Sequence, residues 1–221
     1  MNDSNMLNYS KWIQIIRLFV GFLAWIGIII RFIVGVFDVM GGEDPLSYFG
    51  NSFSYYTFQT NLMVAIWLTI AIIRGEQEKR PLIMHPIIHG AICLYITTTF
   101  LIFTIFLSAS YQPTGLEIIS NLLMHYVVPI AFIIEWVISE MQIKYKYQYL
   151  FYYAVYPFSY VVYTVIRGFF TGFYPYYFFD LNEISVLSLG INVILFVILF
   201  SIIGSIYITI NRLLYKRVNR D

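Results

Sequence analysis

The stretch Ser54-Tyr55-Tyr56-Thr57-Phe58-Gln59-Thr60-Asn61 leads directly into a long apolar run, residues 62–73. Polar residues in front of such a run indicate the mouth of a membrane-spanning helix. On a helix, Thr57 and Asn61 lie four residues apart and share one face. Because hydrocarbon offers these side chains no hydrogen bonds, we expect that face to point toward protein or trapped water. A polar face at that depth is a candidate functional site.

The composition of the chain predicts an integral membrane protein. Of its 221 residues, only 11% are charged, whereas soluble domains are nearer a quarter charged. The single cysteine, Cys93, lies in an apolar run and is expected in the core. It allows no internal disulfide and no thiolate zinc site. The sequence has no basic patch suited to nucleic acid and no Gly-rich phosphate loop. We therefore expect no nucleic-acid partner, no metal and no cofactor.

Six segments are long and apolar enough to cross the hydrocarbon layer, which takes about 20 residues of helix. They are residues 12–37, 56–73, 86–107, 116–138, 150–170 and 186–214. Pro129 lies in the fourth segment and Pro157 in the fifth. Each removes a backbone N–H, so we expect each to kink its helix. The predicted fold is all-α, with residues 1–221 forming a single membrane domain built as a six-helix bundle.

Charged residues divide between the two sides of these segments. One side carries most of the basic residues: Lys11, Arg17, Arg74, Lys79, Arg80, Lys144, Lys146, Arg212, Lys216, Arg217 and Arg220. The opposite loops are acidic, with Asp38, Glu43, Asp44, Glu117, Asp180 and Glu183. Basic loops stay in the cytoplasm, so both termini are predicted to be cytoplasmic and the protein to be a multi-pass component of the cell membrane.

This orientation places seven polar side chains in the outer half of the bundle. They are Arg31, Thr57, Asn61, Asn121, His125, Arg167 and Asp180. Turning them toward lipid would be costly, so we expect an inward-facing cluster. At 1.5 Å per residue, His125 lies roughly 13 Å below the outer boundary, and Asn121, one turn above, shares its face.

These residue types in one cluster suit a hydrolytic reaction. A threonine hydroxyl becomes a nucleophile when a base takes its proton, and neutral histidine is the usual base near pH 7. Asn61 and Asn121 could donate amide N–H groups to a developing oxyanion. Arg31 or Arg167 could hold a substrate carboxylate. The expected partner is a membrane lipid or amphiphilic ester that enters sideways from the bilayer.

Several short motifs resemble those of one known family. Tyr56-Thr57-Phe58 is similar to its threonine motif, and Asn121-Leu-Leu-Met124-His125 is similar to its Asn-x-x-Met-His motif, with an acidic residue ten positions on. Residues 171–180 resemble its segment after the fifth span. In these motifs the chain resembles the androgen-induced-protein-like multispan membrane threonine hydrolases (FAHFA hydrolases) and their bacterial six-span branch. The resemblance implies hydrolysis of lipid esters, such as fatty acid esters of hydroxy fatty acids, by an intramembrane Thr57–His125 pair.

Each candidate residue also has a purely structural interpretation. Thr57 could bond only its own backbone, and His125 could be a structural hydrogen-bond partner. Asp180 could pair with Arg167 to pin the outer loop instead of contacting a substrate. Arg31 could extend toward the interface.

Four positions carry further expectations: Arg31, Glu135, His85 and His89. Arg31 could also pair with Asp38. Glu135 is expected at the cytoplasmic interface, with pairing to a base on that side as the alternative. His85 and His89 lie four residues apart and are expected to be exposed rather than to bind a metal.

Two functions remain open at this point. One is an intramembrane hydrolase of lipid esters; the other is a non-enzymatic small transporter or a lipid- or anion-binding scaffold. The hydrolase requires the Thr57 hydroxyl within about 3 Å of a His125 nitrogen, or one water away. A transporter requires broken helices or inverted repeats near the midplane.

Overall fold

The computed structural model describes residues 3–74, 82–139 and 143–218, and the regular structure in these ranges is helical. The α-helices are α1 Asp3–Met40, α2 Pro45–Ser54, α3 Tyr56–Arg74, α4 Pro86–Ile102, α5 Leu116–Leu122, α6 Val128–Ser139, α7 Tyr149–Thr171 and α8 Val186–Val218. Short 3-10 turns occupy Leu82–Met84 and Tyr177–Phe179. Two π-helical turns, Phe103–Leu107 and Leu123–Val127, extend α4 and join α5 to α6.

Six helical segments within the described ranges are long and apolar enough to cross a membrane. They are Lys11–Met40, Tyr56–Arg74, Pro86–Leu107, Leu116–Ser139, Tyr149–Thr171 and Val186–Lys216. These segments match the six predicted spans to within a few residues. They confirm the all-α fold with six helices that could cross a membrane, which is consistent with a multi-pass protein. The cytoplasmic placement of both termini stays a prediction. Of the basic residues behind it, Lys79, Arg80 and Arg220 lie outside the described residues, and so does the side chain of Arg217.

The core lies where α1, α3, α4 and α6 meet. Val64, Leu68, Leu94 and Phe132 are completely buried there, and Cys93 is buried with them, as the sequence predicts. In contrast, α7 and α8 expose most of their large apolar side chains. An apolar helix of this kind is typical of a span whose outer surface contacts lipid.

Local signals set the helix ends at the end of the bundle that carries α2, called here the α2 end. The Asp44 carboxylate accepts the Ser47 N–H at 2.8 Å, and Pro45 opens the helix without losing a hydrogen bond. At the same end, α7 stops at Gly172, whose φ of 71° is left-handed and suits glycine. The chain then turns back toward the first turn of α3, where the candidate site lies.

The π turn Leu123–Val127 changes the pattern of backbone hydrogen bonds in the fourth span. The Val128 N–H bonds to Leu123 O, five residues back, so Met124 O loses the donor that an α-helix would give it. The next residue that could reach this carbonyl in π geometry is Pro129, which has no N–H. The structure thus shows a shift in hydrogen-bond register next to Pro129, and the expected kink there stays a prediction.

The missing donor comes from a neighbouring helix. Asn61 on α3 places Nδ2 3.0 Å from Met124 O and 2.9 Å from Thr57 O. A buried carbonyl without a partner is costly, so this contact stabilises the π turn. The other proline, Pro157, lies inside α7, which is continuous from Tyr149 to Thr171. The carbonyl of Tyr153, four residues before it, accepts the Tyr95 hydroxyl at 2.9 Å, and the expected kink there stays a prediction.

A buried ionic cluster lies at the end of the bundle opposite α2. Glu135 is completely buried, with Oε1 2.7 Å from Arg17 Nε and Oε2 2.8 Å from His89 Nε2. Trp67 stacks on the His89 ring at 3.9 Å between centroids, and the Arg17 guanidinium lies 5.3 Å from the centre of the Trp67 ring. We call Arg17, His89 and Glu135 the buried triad.

The buried triad corrects two expectations. Glu135 is not interfacial, and the alternative of pairing with a base is confirmed. His89 is completely buried instead of exposed, because a carboxylate and an indole ring enclose it. His85 is exposed as expected, and its Nδ1 accepts the Ile87 N–H at 3.2 Å at the start of α4.

Candidate active site

Thr57 and His125 meet at a cavity of about 320 Å³ at the α2 end of the bundle. Thr57 is the second residue of α3, and His125 is the central residue of the π turn between α5 and α6. The distance from Thr57 Oγ1 to His125 Nε2 is 3.2 Å. The expected approach of these two side chains is thus confirmed, although they are 68 residues apart in the chain.

Asn121 determines which nitrogen of the imidazole carries the proton. Its Oδ1 lies 2.8 Å from His125 Nδ1. An amide oxygen can only accept, so Nδ1 carries a proton, and in the neutral imidazole Nε2 then carries the lone pair. Nε2 therefore accepts a hydrogen bond from the Thr57 hydroxyl. This is the arrangement that a general base needs.

An aromatic ring fixes the plane of the imidazole. Phe103, the first residue of the π turn after α4, is buried and stacks on His125 with 3.6 Å between ring centroids and 17° between ring planes. The ring covers one face of the imidazole, while Asn121 and Thr57 hold its two nitrogens. His125 is thus restrained in rotation and shielded from solvent on one side.

The first turn of α3 brings backbone donors to the nucleophile. The first N–H groups of a helix have no partner within the helix, and here two tyrosines meet them. The Tyr160 hydroxyl accepts the Tyr56 N–H at 3.2 Å, and the Tyr176 hydroxyl accepts the Thr57 N–H at 3.4 Å. Because the N-terminus of a helix is electropositive, an oxygen with negative charge is stabilised at this position.

Tyr176 contributes a second donor beside the same position. Burial raises the pKa of Tyr176 to about 12, while its hydrogen bonds with Thr57 act to lower it. The hydroxyl therefore remains protonated at neutral and moderately alkaline pH. Its ring is fixed by stacking on Phe178, with 5.1 Å between centroids, and by an edge contact with Tyr55. The Thr57 N–H itself donates to the Tyr176 oxygen when no substrate is bound. A substrate oxyanion would have to replace that contact to accept from both the Thr57 N–H and the Tyr176 O–H, and we call these two groups the donor pair.

An ion pair stands at the more exposed part of the cavity. Arg31 Nη1 donates to Glu117 Oε1 at 2.8 Å, and the two side chains are 25% and 29% exposed. Tyr111 adds a longer hydrogen bond to the same carboxylate oxygen at 3.4 Å. The expectation that Arg31 pairs with Asp38 is wrong, because α5 brings Glu117 across to α1. We call Arg31 and Glu117 the mouth pair.

Asn61 has no amide hydrogen left for an oxyanion, whereas the expectation that Asn121 donates to one stays a prediction. Both amide hydrogens of Asn61 are used, one by Thr57 O and one by Met124 O, and the side chain is completely buried. Asn121 lines the cavity, but it is its oxygen that engages His125. Asn61 therefore supports the π turn, and Asn121 orients the imidazole.

Arg167 and Asp180 lie outside the cavity lining. Arg167 Nη2 donates to Asn51 Oδ1 at 2.7 Å, and its guanidinium lies 5.1 Å from the centre of the Phe173 ring, so it ties α7 to α2. Asp180 accepts the Asn182 N–H at 2.8 Å within a turn. The ion pairs found in the described residues do not include the expected Arg167–Asp180 pair, because each side chain has another partner.

Two residues of the site, Phe103 and Glu117, escaped the sequence interpretation. Tyr176 belongs to the segment 171–180 that carries the family resemblance, but its role as a donor was not predicted. No charge pattern marks Phe103, and Tyr176 is one of many tyrosines at the ends of spans. Glu117 could have been found, since it lies eight residues before His125 on the same span and at the depth of Arg31.

Comparison with known proteins provides no relatives from which a function could be transferred. No protein-family model matches the chain, and neither a curated protein nor a solved structure matches it. The family resemblance of the short motifs stays an expectation. The basis for a functional proposal is therefore the geometry of Thr57, His125 and Asn121.

Proposed function

We propose that the protein is an intramembrane hydrolase of lipid carboxylic esters, with Thr57 as nucleophile and His125 as general base. The observation that carries this proposal is the hydrogen-bonded series from Thr57 Oγ1 to His125 Nε2 and from His125 Nδ1 to Asn121 Oδ1. A nucleophile, a base and a group that orients the base are the three parts of a catalytic triad, and Cys-His-Asn sites use an amide in the third position.

The first half of the reaction forms an acyl-threonine. Thr57 Oγ1 attacks the ester carbonyl carbon while His125 Nε2 takes the hydroxyl proton. The carbonyl oxygen becomes an oxyanion and is stabilised by the donor pair, Thr57 N–H and Tyr176 O–H. The C–O bond to the alcohol then breaks, and protonated His125 gives its proton to the leaving alkoxide.

The second half releases the acid. A water molecule attacks the acyl carbon and His125 Nε2 takes its proton. The oxyanion forms again at the donor pair. Thr57 Oγ1 then leaves and recovers a proton from His125. Throughout both halves, Asn121 Oδ1 holds the Nδ1–H, so the imidazolium that forms transiently is stabilised and stays oriented.

The cavity fits an amphiphilic substrate. Apolar side chains, among them Phe58, Phe103 and Leu107, line it together with the polar reacting groups. Because the cavity lies within helices that are apolar enough to span a membrane, a lipid could reach it from the bilayer. An ester group would then lie at Thr57 with its hydrocarbon on the apolar wall.

Labelling with a fluorophosphonate probe tests the nucleophile. The purified protein and its Thr57→Ser variant should react, whereas Thr57→Ala and His125→Ala should not. Thr104→Ala is a matched control, because this exposed threonine on another span bonds only Phe100 O. It should label like the unaltered protein. Equal labelling of every variant would remove the nucleophile assignment and leave the non-enzymatic alternatives.

A further inference from the structure

The mouth pair makes the candidate site electrically neutral. Of the described residues that line the cavity, Arg31 and Glu117 are the members that carry opposite full charges. Their charged atoms are 2.8 Å apart. His125 has one protonated nitrogen in the arrangement described above and adds no charge. The cavity therefore holds one positive and one negative side chain and has no excess of either sign.

Both members of the mouth pair keep unused hydrogen-bonding capacity. A guanidinium has five N–H donors, and the bond to Glu117 uses one Nη1–H. On the carboxylate, Arg31 and Tyr111 both approach Oε1, and the structure gives Oε2 no hydrogen bond within the described residues. With about a quarter of each side chain exposed, a ligand at the mouth meets donors and an acceptor together.

We propose that the mouth pair is a headgroup site that selects lipids of zero net charge and discriminates against anionic ones. An anion that approaches Arg31 must also approach the Glu117 carboxylate, and the repulsion cancels most of the attraction. A neutral or zwitterionic headgroup can use the donors of Arg31 and the acceptor of Glu117 together. This inference rests on the proposed function only in taking the ligand to be a lipid.

The position of the mouth pair agrees with a headgroup site. Glu117 lies eight residues before His125 along one continuous span, which is about 12 Å at the helical rise. Both residues line the same cavity. A headgroup held at Glu117 and Arg31 would therefore leave the ester of the same lipid within reach of Thr57. The expectation that Arg31 holds a substrate carboxylate stays a prediction, and the headgroup site is its alternative.

Binding of non-hydrolysable ether lipids tests the proposal without requiring catalysis. Three ethers with one hydrocarbon chain and different headgroups are compared: glycerol, phosphocholine and a free carboxylate. They compete with a fluorescent ether for the full-length protein in a neutral detergent. The unaltered protein should bind the glycerol and phosphocholine ethers at least about tenfold more tightly than the carboxylate. Whichever of the two binds better identifies the source of the neutral headgroup.

Substitutions at the mouth pair should change the ratio of the affinities for the carboxylate ether and the glycerol ether in a defined direction. Glu117→Gln leaves Arg31 unbalanced and should improve binding of the carboxylate ether by about tenfold relative to the glycerol ether. The double variant Arg31→Gln/Glu117→Gln restores zero charge and should again disfavour the carboxylate. Glu183→Gln is the matched control, because it removes an exposed acid that does not line the cavity. Its ratio should not change.

The outcomes are separable from those of the hydrolase proposal. Thr57→Ala should keep the headgroup preference even though it cannot be labelled, because the ethers are not cleaved. A preference of the unaltered protein for the carboxylate, an unchanged ratio in Glu117→Gln, or no binding of any ether would each overturn the headgroup proposal. None of these results depends on whether Thr57 is a nucleophile.

Discussion

The side-chain amide of Asn61 donates a 3.0 Å hydrogen bond to the backbone carbonyl of Met124, the residue directly before His125. Its second hydrogen goes to the carbonyl of Thr57, one turn earlier on α3. One buried side chain thus contacts the backbone of the candidate nucleophile and the backbone next to the candidate base. We infer that Asn61 sets the spacing between α3 and the π turn.

Substitution of Asn61 should therefore reduce both stability and reactivity. Asn61→Asp keeps the shape but removes at least one of the two donors, because a carboxylate donates no hydrogen bond and a neutral carboxylic acid donates one. Met124 O or Thr57 O then loses its Asn61 partner. We expect a loss of about 1–3 kcal/mol in the free energy of unfolding and slower fluorophosphonate labelling, although Thr57 and His125 are unchanged. Thermal unfolding and labelling rates measure the two effects. Asn182→Asp, which alters an exposed amide bonded to Gly172 O, should show neither.

A second prediction concerns the orientation of the imidazole by Asn121. Asn121→Ala removes the acceptor at Nδ1, so His125 can rotate and can place its proton on Nε2. We expect kcat to fall by about tenfold or more, up to the roughly 10²–10⁴ that loss of the general base itself would cost, with little change in KM. Asn121→Asp keeps an acceptor at Nδ1 and should retain much more activity than Asn121→Ala. Equal losses in both variants would show that the residue does not act through the tautomer.

These relationships show which parts of the site follow from sequence. The pairs Thr57/Asn61 and Asn121/His125 are each four residues apart, so helix periodicity alone places each pair on one face. The approach of one pair to the other could be inferred because polar groups at equal depth avoid lipid. Local spacing and depth favoured the central contact, and the resemblance of the motifs around Thr57 and His125 singled out this pair.

Other features depend on how the helices rotate against each other. Sequence spacing does not reveal that Glu117 faces Arg31, or that Glu135 turns inward to His89. The π turn could not be predicted from the sequence either. Pro129 indicates a disturbed helix, but the shift in register depends on a donor from α3, which is a non-local contact. The same packing gives Asn61 its role at the π turn and places the Tyr176 hydroxyl beside Thr57 N, and neither could be predicted from spacing.

A third prediction concerns the donor pair. Tyr176→Phe removes the phenolic hydroxyl but keeps the ring that packs on Phe178. Loss of one oxyanion donor typically costs about 10²–10³ in kcat, and we expect a decrease of that order with KM little changed. Hydrolysis of a short soluble ester and of a long-chain ester should be affected alike. Tyr177→Phe alters a neighbouring exposed tyrosine and should leave kcat unchanged.

The pH dependence of this effect follows from the shifted pKa. Tyrosine ordinarily titrates near pH 10, but burial raises the pKa of Tyr176 to about 12. A raised pKa keeps the donor protonated to higher pH, so the advantage of the unaltered protein over Tyr176→Phe should stay constant from pH 7 to about pH 10. A ratio that decreases already near pH 9 would contradict the proposed donor.

The last prediction separates stability from reactivity at the buried triad. Glu135→Leu leaves Arg17 and His89 without the carboxylate that pairs with them in the bundle interior. Breaking a buried pair by removing one partner typically costs about 3–5 kcal/mol, whereas replacing both partners by apolar residues is often far less costly. We therefore expect a large decrease in thermal stability for Glu135→Leu and a partial recovery in Arg17→Met/Glu135→Leu. Glu183→Gln, an exposed change, should stay within about 0.5 kcal/mol of the unaltered protein.

The same variants should leave the chemistry of the folded protein unchanged. Glu135 lies ten residues after His125, roughly 15 Å along the span, and it contacts none of the residues of the Thr57–His125–Asn121 series. At a temperature where Glu135→Leu is still folded, its labelling rate per folded molecule should therefore equal that of the unaltered protein. A lower labelling rate under those conditions would mean that the buried triad is coupled to the candidate site. A purely structural role could then no longer be assigned to the buried triad.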